Sequence, residues 1–376
     1  MGFFDEALRC GRKAISMNPD HTLARFNLAN ALLRLDMIDD AVIEFTEVLN
    51  RQPAHGLAYY LLGTCYNNQS GKVWEALDCH ESALALMGDP PDDLLAALAE
   101  LYETTGQGSR ARTLANTLLQ KNPDYHRAEL VLVLLDKAEG QLEAAHARLC
   151  KLLKKNVSPV DKLRTLGLLA HILDRRGDYK GAYNTFEKTG ALSAELAKGN
   201  YNPGFWYDRI HRNRAVCCPE NVLKWRESDP EDSLPDPVFL VGFPRSGTTL
   251  TERIVSTHPG VVSSDEYGLI HKLIFRLSKI KGGSMRGAGY PYMLNELSKR
   301  HVAALRQEYW NLAQDHCGAK PHEKMFLDKL PFNIIELALI NCLFPKAKIL
   351  VLLRDPRDVC LSCCMQLFRL NDAMAN

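Results

Sequence analysis

Along the first half of the chain, apolar residues recur with a helical period and are interrupted at regular intervals. Pro19 and Pro53 each follow an Asn or Gln and stand 34 residues apart, and Pro123, again after Asn, follows 70 residues later, about two further periods. Ala7, Ala41, Ala76 and Ala111 hold the same place in successive periods, while Leu62 with Tyr66 and Leu98 with Tyr102 supply the large residues of a partner helix. Gly71, Gly106, Gly140 and Gly177 fall between the two helices of each pair, and Ala182 with Phe186 mark the last unit. A two-helix unit of this kind cannot bury its apolar stripe alone. Small alanines let the paired helices approach, and stacking of the next unit covers what remains. The pattern predicts a helical array over residues 1–195. Counted backwards, Gly2 to Asp20 reads as the second helix of a unit, so the reading expects further sequence upstream.

The pattern then changes. Residues 196–234 read as a joint: Asn200 to Gly204 breaks the helical period, Phe205 to Arg214 predicts a short aromatic and basic helix, and Glu227 to Pro237 is acidic and proline-bearing. From residue 235 to 376 the signal is that of an α/β domain. Val238–Val241 is a short apolar run suited to a buried parallel strand, followed by Gly242-Phe-Pro-Arg-Ser-Gly247-Thr248-Thr249 and a helix from Leu250 to His258. A strand, a Gly-bounded loop and a helix start make an anion cradle, because backbone N–H groups and the helix dipole converge on a phosphate. A second apolar run, Lys348–Leu353, leads into Arg354-Asp-Pro-Arg357-Asp358 and another helix carrying Ser362.

Composition narrows the function without naming it. A net charge of +1 argues against a protein that coats nucleic acid or binds membranes through a polybasic patch. The N-terminal residues lack the basic flank and apolar stretch of an export signal, and Glu6 stands where a myristoylation signal wants a small hydroxyl residue. Ile334 to Phe344 is too short to span a bilayer. Eleven cysteines without scaffold spacing then read as free thiols in a reducing, cytoplasmic compartment. Cys360, Cys363 and Cys364 share one face of a predicted helix and are expected to pack as small hydrophobes. Asp315, His316 and Cys317 with His322 lack a second ligand pair at zinc-site spacing, so no metal is expected.

The loop separates two chemistries. A nucleoside triphosphatase places Lys where Thr248 stands, to reach the β- and γ-phosphates. Here the cation is Arg245, inside the loop, whose guanidinium fork matches a phosphate monoester. Pro244-Arg-Ser-Gly-Thr-Thr249 resembles the 5′-phosphosulfate-binding loop of sulfotransferases that use 3′-phosphoadenosine 5′-phosphosulfate (PAPS). Arg354 and Ser362 are similar to the pair that holds the 3′-phosphate in that superfamily. The helical array resembles tetratricopeptide (TPR) repeats. The fold these resemblances imply is an α-helical TPR solenoid followed by an α/β P-loop-type parallel-sheet sulfotransferase domain.

They also imply roles for single residues. Arg245, Ser246, Gly247, Thr248 and Thr249 would bind the 5′-phosphosulfate, and Arg354 with Ser362 the 3′-phosphate. Glu266 stands at a position resembling the catalytic carboxylate of tyrosylprotein sulfotransferases and would serve as general base, with Asp265 as the alternative. Lys329, in Leu327-Asp-Lys-Leu-Pro-Phe332, would neutralise charge on the leaving group, while Asp328 orients Lys329 or caps the segment from Asn333. The activity implied is sulfonate transfer from PAPS to the hydroxyl of a protein tyrosine or a carbohydrate, without a metal. The array would bind a protein or peptide, and no nucleic-acid partner or membrane span is expected. Two other readings stay open at this point: a non-catalytic TPR scaffold with a degenerate nucleotide-binding half, and a P-loop kinase or nucleoside triphosphatase using Asp355. Domains of this family continue beyond the Ser362 helix, so the resemblance also implies further sequence after Asn376 and an incomplete substrate pocket.

Overall fold

The computed structural model describes residues 2–69, 71–197, 204–227, 232–280, 289–317 and 324–366. The chain-end segment 371–376, Pro230, His322 and the break from Asn200 to Pro203 lie outside them. The chain divides into two compact units, Met1–Thr189 and Gly190–Asn376.

In the first unit, α1 (Gly2–Met17) precedes a series of helix pairs. They are α2 (Thr22–Arg34) with α3 (Ile38–Arg51), α4 (Gly56–Asn67) with α5 (Val73–Leu86), α6 (Asp92–Thr104) with α7 (Gly108–Lys121), α8 (His126–Ala138) with α9 (Leu142–Leu153), and α10 (Pro159–Arg175) with α11 (Tyr179–Leu196), whose residues from Gly190 on fall within the second unit. Ala41, Ala76 and Ala111 are fully buried where paired helices meet, and so is Ala145, which continues the series into α9. Ala7, on α1, is only half-buried.

The turn inside each pair has one geometry. Asp36, Gly71, Gly106, Gly140 and Gly177 all adopt left-handed backbone, with φ between 60° and 81°. The next N–H then reaches back five residues: Met37 to Leu32, Gln107 to Tyr102, Gln141 to Asp136 and Asp178 to Leu173, at 2.7–3.0 Å. This closes the helix end by satisfying a carbonyl that would otherwise lack a partner. Glycine pays no Cβ penalty at such a φ, which explains its recurrence at the period the sequence displays.

The second unit contains α12 (Phe205–Val216), α13 (Pro219–Glu227), β1 (Val238–Gly242), α14 (Thr248–Val255), β2 (Val261–Ser263), α15 (Leu269–Ile280), α16 (Lys299–Cys317), β3 (Met325–Lys329), α17 (Leu337–Leu343), β4 (Lys348–Leu352) and α18 (Pro356–Cys364). The strands form a parallel sheet in the order β2-β3-β1-β4. Strand β1 lies inside the sheet, with Leu240 opposite Lys329 on one side and Leu350 on the other. Its Phe239, Leu240 and Val241 are fully buried, as the unbroken apolar run predicts for a strand covered on both faces. Tyr309 of α16 packs edge-on against Phe344 at 4.8 Å between ring centres.

The described part of the segment read as a joint belongs to the core of this unit. Arg306, 2% exposed, pairs with Asp232 at 2.9 Å and Asp236 at 2.6 Å and donates to the carbonyls of Leu234 and Leu343. The acidic stretch thus supplies counter-charges to a buried cation. Likewise Arg209 of α12 donates to the fully buried Glu336 at 2.6 Å, and Glu336 also accepts from Tyr290. The expected packing of Cys360, Cys363 and Cys364 is not found: Cys360 and Cys364 are exposed and Cys363 is half-buried. Strand β4 is the outer strand of the described sheet, and α18 buries only Val359 there, so the described residues cover the cysteine face only in part. Among the described residues, no helix is long and apolar enough to cross a membrane.

Candidate active site

Because the four strands run parallel, their carboxyl ends share one edge, and the segment after each delivers one part of the site. The loop after β1 turns tightly: the Ser246 N–H donates to the Phe243 carbonyl at 3.1 Å, and Gly247, with φ 98°, forms the N-cap of α14. Arg245 also takes a left-handed φ of 71°, uncommon for a residue with a Cβ. Gly242 is required by close approach. A Cβ there would lie 2.8 Å from the carbonyl oxygen of Leu352 on β4. Thr248 is buried and Thr249 exposed at the start of α14.

The element after β4 meets this loop. Arg245 Nε donates to Ser362 Oγ at 3.1 Å, and Arg354 Nη1 donates to the Arg245 carbonyl at 3.1 Å. Arg354 also lies 3.6 Å from Asp358. Asp355 is engaged locally: its carboxylate accepts from the Arg357 N–H at 2.9 Å as the N-cap of α18 and pairs with the Arg357 guanidinium at 2.8 Å. Those hydrogen bonds hold its carboxyl below the usual range.

Strand β3 ends in Lys329, whose side chain is 1% exposed. Two carboxylates hold its ammonium: Glu266 Oε1 at 2.5 Å and Glu252 Oε2 at 2.8 Å. The bend carrying Glu266 is clamped to β3 through the Glu266 N–H on the Lys329 carbonyl at 3.1 Å and the Lys329 N–H on Ser264 Oγ at 3.0 Å. Both Asp265 (φ 44°) and Glu266 (φ 63°) are left-handed there. Such backbone is costly for non-glycine residues and persists where surrounding contacts enforce it, often at functional sites. Asp265 is exposed, and the carboxylate of this bend that ion-pairs with Lys329 belongs to Glu266. Behind the bend, Tyr267 stacks on His316 at 3.9 Å, and His316 Nε2 lies 3.0 Å from the Ser264 carbonyl.

Asp328 faces the other way. It is fully buried, accepts from Tyr309 Oη at 2.8 Å and Asn333 Nδ2 at 3.2 Å, and burial pushes its carboxyl up to about 7. A row of rings lines the neighbourhood of the loop: Phe243 contacts Phe332 edge-on at 6.0 Å, and Phe332 stacks on Trp206 at 5.2 Å.

The sequence-predicted residues therefore fall into two groups that share one sheet edge. Arg354 and Ser362 each contact Arg245, with Ser246, Gly247, Thr248 and Thr249 in the same loop. Glu266 and Lys329 form an ion pair at the adjacent strand. Sequence reasoning missed Glu252, which is buried, bridges to Lys329 and accepts a hydrogen bond from the Ser263 hydroxyl. The one available signal was its place four residues after Thr248, on the same face of α14.

Comparisons with known proteins match these two parts separately. Residues 237–376 match the model of a sulfotransferase family, and residues 1–47 match a tetratricopeptide repeat. An uncharacterized protein of Aquifex aeolicus is 26% identical over 349 residues, covering 90% of this chain but 43% of that protein, so the chain spans less than half of that relative's length. A tetratricopeptide repeat protein from Parabacteroides merdae is similar in structure over 59% of this chain and 90% of its own, with 16% identity and a TM-score of 0.44. A thermophilic TPR protein from Thermus thermophilus covers 45% of this chain and 91% of its own, with 21% identity and a TM-score of 0.35. The second part of the chain thus resembles a sulfotransferase family and its first residues resemble a tetratricopeptide repeat.

Proposed function

We propose that the second unit is a PAPS-dependent sulfotransferase, moving sulfonate to a hydroxyl acceptor, with the repeat array binding a protein substrate or partner. The observation that carries this reading is the meeting of the two phosphate elements. With Arg245 on Ser362 and Arg354 on the Arg245 carbonyl, one ligand bearing two separated phosphates can engage both. A nucleoside triphosphate with a magnesium ion is less well served, since Asp355 is committed to capping α18 and pairing Arg357.

In this reading the N–H groups of the loop and the side chains of Arg245, Ser246, Thr248 and Thr249 bind the 5′-phosphosulfate, and Gly247 opens α14 towards it. Arg354 and Ser362 bind the 3′-phosphate. The acceptor oxygen attacks sulfur, its proton passes to Glu266, and the bond from sulfur to the bridging oxygen breaks. 3′-Phosphoadenosine 5′-phosphate (PAP) departs with the bonding pair. Lys329 neutralises the charge that develops on that oxygen, the electrostatic role other group transfers give to a cation. The acceptor is the hydroxyl of a protein tyrosine or a carbohydrate, and the eleven free cysteines suit a reducing, cytoplasmic setting.

The test is a thermal-shift titration of the chain and of Arg245→Ala with PAP, beside ATP plus Mg²⁺. A ligand at 100 times its Kd stabilises the folded state by about 2.7 kcal/mol, which such a titration reads readily. Stabilisation by PAP, lost in Arg245→Ala, supports the reading. Stabilisation by ATP and Mg²⁺ alone would replace it with a nucleoside triphosphatase.

A further inference from the structure

We infer that Glu252 is a positioning residue for sulfonate transfer: it is the fixed counter-ion of Lys329, so that Glu266 can give up its ion pair and take the acceptor's proton. The inference rests on the activity proposed above and assigns the one charged member of the cluster that the reaction does not otherwise use.

The two carboxylates on Lys329 are unequal. The Glu252 side chain is 5% exposed and that of Glu266 is 44% exposed. Glu252 has little access to water as an alternative partner, and both of its oxygens are engaged: Oε2 by Lys329 and Oε1 by the Ser263 hydroxyl. Breaking that buried pair would strand a charge away from solvent, whereas Glu266 can exchange its partner for water or a ligand at little cost.

The placement of Glu252 adds a second reason. It lies one turn along α14 from Thr248, and the N-terminus of α14 opens from the phosphate-binding loop. A single rigid turn therefore fixes the distance between the loop and the ammonium of Lys329. In the reaction, the proton leaving the acceptor oxygen neutralises Glu266 and dissolves the Lys329–Glu266 pair. Lys329 then faces the bridging oxygen as it gains charge. Glu252 keeps Lys329 in place through that change, as preorganisation of an electrostatic catalyst requires.

The experiment compares the full chain with Glu252→Gln, Lys329→Met and the double variant. PAP affinity is measured by calorimetry, and turnover is measured as PAPS consumption with water as the acceptor. Glu252→Gln is expected to lower kcat about tenfold or more while PAP Kd stays within about threefold, because a mispositioned Lys329 is felt in the transition state and not in bisphosphate binding. In the Lys329→Met background the same substitution should add less than about twofold, since the two residues act as one unit. Wild-type turnover in Glu252→Gln, or an equal loss in both backgrounds, would overturn the inference. Should Glu252→Gln fail to fold, Glu252→Asp, which keeps the charge and shortens the reach, carries the same expectation and the same refutation. A wild-type chain that neither binds PAP nor consumes PAPS would overturn the proposed activity instead. A denaturant double-mutant cycle then still decides the anchor: coupling of residue 252 to 329 must exceed that of 266 to 329, and equal or weaker coupling refutes it.

Discussion

Asp328 makes the stability of the second unit depend on pH in a direction opposite to that of an ordinary paired carboxylate. It is fully buried, and burial raises its carboxyl from 3.8 to about 7 against the opposing hydrogen bonds of Tyr309 and Asn333. A carboxyl raised in the folded state keeps its proton between pH 4 and pH 7 while the unfolded chain has lost it. Its contribution is therefore complete below about pH 4 and disappears as pH rises through 7. Roughly three pH units at about 1.4 kcal/mol each make an effect of about 4 kcal/mol, of which about 3 lies between pH 5 and pH 7.5. For a unit of this size that corresponds to a Tm fall of ~5–10 °C. Asp328→Asn removes the titration and leaves the site satisfied. Tyr309 still donates to the remaining oxygen, and Asn333 Oδ1, now without a partner, can turn to accept from the new amide. Thermal unfolding read by the fluorescence of Trp206, Trp225 and Trp310 should give similar Tm values for both proteins at pH 5. At pH 7.5 the wild type should fall behind the variant by that amount. The histidines that also titrate in this window are common to both proteins and cancel. Parallel Tm curves for the two proteins across pH 5–7.5 would refute the reasoning.

Two further outcomes follow from the packing around the site. Arg306→Met strands Asp232 and Asp236 beside a buried pocket and should cost about 3–5 kcal/mol in denaturant unfolding of the second unit, and a loss below about 1 kcal/mol would contradict the counter-charge role given to the acidic stretch. Gly242→Ala sets a Cβ 2.8 Å from the Leu352 carbonyl and should cost about 1–3 kcal/mol. Because it pushes β1 from β4, it should also weaken PAP binding through the Arg354–Arg245 contact, and unchanged stability would show that the strands yield without strain.

Much of the fold was legible in local pattern. The repeat period survives in sequence because each turn imposes the same requirement, a left-handed residue, and four of five such turns meet it with glycine. The tight turn after β1 was legible for the same reason: Gly242 and Gly247 serve a geometry completed within eight residues. The Cys360, Cys363 and Cys364 face was misread because helical spacing shows which residues share a side but not whether anything covers it. The acidic stretch near Asp232 looked like linker because its partner, Arg306, is 74 residues away.

The carboxylate pair on Lys329 marks the boundary between the two kinds of information. Sequence determined that Val238–Val241 forms a strand and that a helix follows the loop after it, since each depends on neighbouring residues, and it marked Glu266 and Lys329 only through a resemblance. Only the strand order β2-β3-β1-β4 decided that Glu266 and Glu252 both reach the same ammonium. That order is set by burial summed over the whole sheet, so no local stretch of sequence carries it. Glu252 consequently reads as one more polar residue on a short helix until the tertiary fold closes over it.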